Sequence, residues 1–189
     1  MKYPRENDFD AIINEAGAAW NVKPALLKGI IAAESEFNPR AYRDEPTLHD
    51  GSYGLMQLLY GTANRLGYTG STTGLFDPTL NVRLGTRFLS DLIRTADRAG
   101  YGVDSAISAY NAGSSNVRPG DGQRVTNAPG APFVNQPYVD KVVSLANYYA
   151  GIPQLQTVTV NAIEHVPLST LLAAAVPLVI LLFPRKRKH

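Results

Sequence analysis

Apolar side chains return at three- and four-residue steps from the ninth position onward. Phe9, Ile12, Ile13, Ala16, Ala19 and Trp20 align on one side of a helix, because 3.6 residues make a turn and such spacing gathers one buried face. Asp8 stands where an N-cap belongs, Asn21 punctuates the far end, and Pro24 suits the first turn of a second helix. That second helix is expected over residues 24 to 37, closed by Asn38-Pro39. A third follows Asp77-Pro78, with Asp77 as its N-cap and Val82, Thr86, Leu89, Ile93 and Ala96 on one face; Arg83, Arg87, Asp91 and Arg94 fall mostly elsewhere. Asp104 caps a fourth through Ala106, Ile107 and Tyr110, and a fifth, residues 138 to 149, sets Tyr138, Val142, Leu145 and Tyr149 in line. Strand signals are weak throughout residues 1 to 150, so the expected fold class is mainly α, a single globular domain.

The pattern changes after that. Residues 114 to 137, dense in Gly, Pro, Asn and Ser, carry no apolar period and read as one long loop, of a length that is usually functional or mobile. Residues 151 to 165 read as a linker, with a possible short strand at Val158-Thr159-Val160. Residues 166 to 184 hold no charge, close to the roughly 20 apolar residues that cross a bilayer core. The plainer alternative is a buried core helix, but Arg185-Lys186-Arg187-Lys188 follows at once. A transmembrane helix is therefore expected, with Pro177 kinking it and the basic tail, residues 185 to 189, on the cytoplasmic side.

Charge then alters the picture of the body. The net charge of +2 rests on that tail: taking its four cations from the 18 basic residues leaves 14 against 16 acidic. Such a body has no electrostatic preference for nucleic acid, and none is expected as a partner. Cysteine is absent, and His49, His165 and His189 are far apart, so neither a metal site nor a cofactor is expected.

One residue of the second helix departs from its surroundings. Leu27, Ile30, Ile31 and Glu34 are spaced by three, four and seven, so the Glu34 carboxyl emerges from the apolar stripe, whereas Glu36 points roughly opposite. Apolar surroundings disfavour the charged form and raise a carboxyl's pKa toward the working pH, as a general acid requires. The bland alternative is a glutamate at a helix end, reaching solvent or paired with an arginine.

Four further patterns bear on that choice. Glu34-Ser35-Glu36-Phe37-Asn38-Pro39, then Gly51-Ser52-Tyr53-Gly54-Leu55-Met56-Gln57, then Leu75-Phe76-Asp77-Pro78 with Asn81 and Gly85, then Ala109-Tyr110-Asn111-Ala112-Gly113 occur in this order. Together, over residues 9 to 150, they resemble the Slt-type lytic transglycosylases of the goose-type lysozyme-like superfamily. The resemblance implies a lysozyme-like α domain that cleaves between N-acetylmuramic acid and N-acetylglucosamine in peptidoglycan glycan strands. It implies Glu34 as the catalytic acid/base, Gln57 with Ser52 and Met56 as substrate contacts, and Tyr110 and Asn111 bordering the glutamate and the sugar. Ser35 is expected to hold the helix end. Of the ten tyrosines only Tyr110 is read as a site residue; Tyr53, Tyr60 and Tyr138 read as packing at least as readily.

The sequence departs from the simplest family pattern between its first two motifs. Residues 41 to 50 form a polar insert with three acidic residues, Asp44, Glu45 and Asp50, read as a solvated loop; Asp50 is the one to test as a second carboxylate positioning water. The alternatives are accordingly a lysozyme-type hydrolase on the same fold and a non-catalytic peptidoglycan-binding membrane anchor. No apolar run follows the charges of the first eight residues, so no signal peptide is expected. That favours a phage particle, anchored in a virion membrane, over a bacterial inner membrane with a periplasmic domain.

Overall fold

The computed structural model describes residues 2–113, 133 and 135–151. These belong to one compact unit, residues 1–154. The expected transmembrane segment, the linker and nearly all of the 114–137 loop lie outside the described residues. Among those described, no helix is long and apolar enough to cross a membrane.

Among the described residues, six α-helices carry the fold. The first, α1, spans Asp10–Trp20, and α2 spans Pro24–Ser35. Asp8 does not cap α1: Phe9 holds that position with no side-chain hydrogen bond, because the Asp8 carboxylate turns back to the Arg5 guanidinium at 3.0 Å. Asn21 closes α1 in the left-handed conformation, φ 54°. On α2 the residues Leu27, Ile30, Ile31 and Ala32 are fully buried, so it is the central helix and needs no wet face.

The polar insert is not the expected loop. Tyr42–Glu45 (β1), Asp50–Tyr53 (β2) and Leu58–Leu59 (β3) form an antiparallel sheet in the order β1-β2-β3, with Arg43 opposite Ser52 and Glu45 opposite Asp50. A short 3₁₀ turn, Pro46–Leu48, and the left-handed residue His49 (φ 50°) close the hairpin. Beyond the sheet come α3 (Tyr60–Arg65), a second 3₁₀ turn (Thr72–Phe76), α4 (Pro78–Arg98), α5 (Val103–Ala112) and α6 (Gln136–Tyr149). Asp77 caps α4 as expected, its carboxylate accepting from the Leu80 N–H at 2.7 Å.

The main core joins α1, α2, α4, α5 and α6, with Phe37, Leu55 and Met56 fully buried among them. A smaller cluster, Leu58, Ala63 and Leu75, lies under the sheet and α3. The two helices that matter most for the site are pressed together. A Cβ on Gly29 of α2 would stand 2.9 Å from the Val142 carbonyl of α6, so only glycine permits that approach.

Candidate active site

Glu34 sits in the last turn of α2, where the chain leaves the core. Glu36 and Phe37 both adopt left-handed conformations, φ 52° and 63°, unusual for side chains with a Cβ. That double turn sends Phe37 back into the core between Tyr3 and Tyr149. The Ser35 hydroxyl, 2.7 Å from the Leu55 carbonyl, ties the same helix end to the Gly54–Gln57 turn. Glu34 is thereby fixed, half-buried, at the edge of a cavity of about 100 Å³ that it shares with Arg43, Glu45, Ser52, Gln57 and Tyr110. A neighbouring cavity of about 400 Å³ shares Leu48, Gln57, Leu59, Tyr110 and Asn111 with the first and runs on to Arg65 and Gly113. The two form one groove with Glu34 at an end of it.

The tyrosine hydroxyl on Glu34 comes from α6. Tyr138 donates to Glu34 Oε1 at 2.6 Å, and the close packing of α2 on α6 brings them together. Tyr110 instead donates to the Met56 carbonyl at 2.8 Å and offers the groove its ring. Burial holds the Glu34 carboxyl above the ordinary carboxylate range; the Tyr138 hydrogen bond and the Arg43 and Lys141 cations oppose the rise, and the Glu45 carboxylate adds to it. Burial, with the Glu34 charge beside them, also pushes the Tyr110 and Tyr138 phenols well up. Both therefore remain hydrogen-bond donors near neutral pH.

The sequence-predicted residues divide. Gln57, left-handed at φ 45°, lines both cavities while its amide nitrogen donates to the Ala41 and Gly54 carbonyls at 3.1 Å. Asn111 is exposed on the groove and accepts at Oδ1 from Asn135 at 3.0 Å. Ser52 lines the Glu34 cavity but is almost wholly buried, donating to Glu45 Oε1 at 3.0 Å. Met56 is a correction. Its side chain is fully buried against Gly85 of α4, where a Cβ would lie 2.6 Å from Sδ, so it is core and its side chain is closed to a substrate.

Asp50 is a second correction. Its carboxylate accepts from the backbone N–H groups of Gly51, Tyr60 and Gly61 at 2.7, 3.2 and 2.8 Å, and it does not line the Glu34 cavity. It anchors the start of α3. The acidic residue that reaches the cavity is Glu45, two strand positions from Arg43. Sequence reading missed Tyr138, Arg43 and Glu45 as a group. For Tyr138 a signal existed, since it lies four residues before Val142 on a face that must meet another helix. For Arg43 and Glu45 none did, because their placement follows from strand register.

The model of the transglycosylase SLT domain family matches residues 11–128, and this span holds the Glu34 helix, the hairpin and the Tyr110–Asn111 corner. The chain belongs to that family. It is 36% identical over 123 residues to a transglycosylase of Enterobacteria phage PRD1, covering 65% of this chain and 41% of the relative. It is 40% identical over 88 residues to the endo-type membrane-bound lytic murein transglycosylase A of Citrobacter koseri, covering 43% of this chain and 41% of the relative. This chain thus aligns with less than half the length of those relatives. Among solved structures, the 70-kDa soluble lytic transglycosylase of Escherichia coli superposes with a TM-score of 0.59 at 24% identity, over 79% of this chain and 25% of the other. An inactive mutant of the Pseudomonas aeruginosa lytic transglycosylase Slt gives 0.58 at 24% identity, over 81% and 26%. The SLT domain therefore has the mainly helical, lysozyme-like fold expected of it.

Proposed function

We propose that this SLT domain is a peptidoglycan lytic transglycosylase in which Glu34 is the single acid/base. Protonated Glu34 gives its proton to the glycosidic oxygen as the bond from C1 of N-acetylmuramic acid breaks through an oxocarbenium-like state. The resulting carboxylate then takes the proton of the same sugar's C6 hydroxyl, whose oxygen closes on C1 as a 1,6-anhydro ring. Glu34 ends protonated, no water is consumed, and the nucleophile belongs to the substrate. Hydrolysis on two carboxylates requires a second one about 5 to 10 Å away and free to act on water or carbon. Here Asp50 is occupied by three backbone N–H groups and Glu45 by Arg43 and Ser52.

The observation that carries this reading is a carboxyl held above its ordinary range by burial while opening on a groove. Gln57, Asn111 and the Tyr110 ring are its proposed sugar contacts, and the Tyr138 hydroxyl steadies Glu34 through both proton transfers. Residues 1 to 150 form the proposed catalytic domain, 151 to 165 a linker, 166 to 184 a bilayer-crossing helix and 185 to 189 its basic tail. The phage PRD1 transglycosylase and the membrane-bound murein transglycosylase among the relatives support a virion or envelope membrane as the setting. Mass analysis of muropeptides released from sacculi tests the chemistry. Products ending in 1,6-anhydromuramic acid are expected, and reducing muramic acid ends, heavier by one water, would overturn it.

A further inference from the structure

The hairpin places two opposite charges beside one acid. Side chains on a strand alternate between faces, so Arg43 and Glu45 of β1 share the side toward the groove while Tyr42 and Asp44 share the other, where their side chains meet at 3.4 Å. Across the pair, Arg43 is registered with Ser52 of β2. Glu45 Oε1 accepts from Arg43 Nε at 2.6 Å and from Ser52 Oγ at 3.0 Å. Two bonds therefore hold the Glu45 carboxylate, and it lines the same small cavity as Glu34. We propose that Arg43 and Glu45 are paired positioning residues for Glu34, one of each charge, which together set the pH range over which it serves as an acid.

The proposal rests on the reading of Glu34 as the proton donor. Among the described residues, every charged or titratable group that acts on that carboxyl has a direction. From α6, Tyr138 donates to it and Lys141, anchored on the Ala33 carbonyl at 3.0 Å, favours its charged form. From α5, Tyr110 stays neutral. From β1, Arg43 favours the charged form and Glu45 the protonated one. The Arg43 side chain is 61% exposed and Glu45 21%, so water screens the arginine more in the open groove. A glycan strand lying in the groove displaces that water and strengthens both charges' hold on Glu34.

The test is the basic limb of the pH–activity profile, where Glu34 loses its proton. Glu45→Gln removes a negative neighbour and is expected to move that limb down by about half a pH unit. Arg43→Gln is expected to move it up by a similar amount, Arg43→Lys to leave it near wild type, and the double Gln variant to return it toward wild type. The shifts should be larger in kcat, which reports the bound complex, than in kcat/KM. Titration of the Glu34 carboxyl by ¹³C NMR in each variant reads the same quantity without turnover. Equal-direction shifts, or a loss of rate with an unmoved limb, overturn the proposal and leave Glu34's role standing. Wild-type activity in Glu34→Gln instead removes the reading beneath it.

Discussion

In the proposed reaction Glu34 needs a proton at the start and must release it before the ring closes, so its environment has to work in both directions. Burial favours the acid, and the Tyr138 hydroxyl, at 2.6 Å, favours the carboxylate that follows. Tyr138→Phe removes the second influence alone. A hydrogen bond to a charged group contributes about 1.5 to 3 kcal/mol, and one pH unit is about 1.4 kcal/mol. The Glu34 pKa is therefore expected to rise further in Tyr138→Phe, moving the basic limb of kcat/KM upward by about one pH unit or more while kcat falls. A limb that stays put or moves down would show that the phenol does not support the carboxylate. The place of Glu34 on the groove was legible, because its spacing of three, four and seven from Ile31, Ile30 and Leu27 sets it on the buried side of α2; the role proposed for it came from the motif series, which the spacing alone did not decide. Choosing among Asp44, Glu45 and Asp50 was not possible, because three acids on a polar stretch differ only in which face of a strand they occupy and which backbone N–H groups they meet.

Among the elements, α4 organises the floor of the groove. Asn81 is fully buried; its Oδ1 accepts from the Met56 N–H at 2.8 Å, and its Nδ2 donates to the Tyr53 and Leu75 carbonyls at 2.8 and 2.9 Å. One side chain thus fastens α4 to β2, to the second 3₁₀ turn and to the turn that delivers Gln57. Gly54, at φ 72°, lets that turn approach: a Cβ there would stand 2.6 Å from Asn81 Nδ2. Asn81→Ala leaves buried backbone groups unpaired and is expected to destabilise the protein by about 3 kcal/mol, measured by urea unfolding. A loss under about 0.5 kcal/mol, the range of surface substitutions, would contradict the role. The helices were legible from period and punctuation, and Asp77, Asn81 and Gly85 from the motif. The sheet was not, since β1 reads Tyr-Arg-Asp-Glu with three exposed positions and is held by backbone pairing without an alternating apolar face. The same absence of pattern hid α3, a helix of only six residues.

At the scale of the whole molecule, the proposed anchor rests on the sequence: residues 166 to 184 carry no charge and are followed at once by Arg185-Lys186-Arg187-Lys188, the pattern of a segment that serves a bilayer. The full chain should float with lipid vesicles and a 1–151 fragment should not, while both release the same muropeptides; a floating fragment or a full chain left in the soluble fraction would contradict the anchor. In the proposed mechanism the groove presents one protonated carboxyl, that of Glu34, to a glycosidic oxygen. The most direct test is the rate of glycan-strand cleavage by Glu34→Gln, which keeps the shape and the Tyr138 partner but has no proton to give. Removing a general acid typically costs about 10² to 10⁴ in rate, and a loss of that size is predicted; cleavage at the wild-type rate would contradict the account.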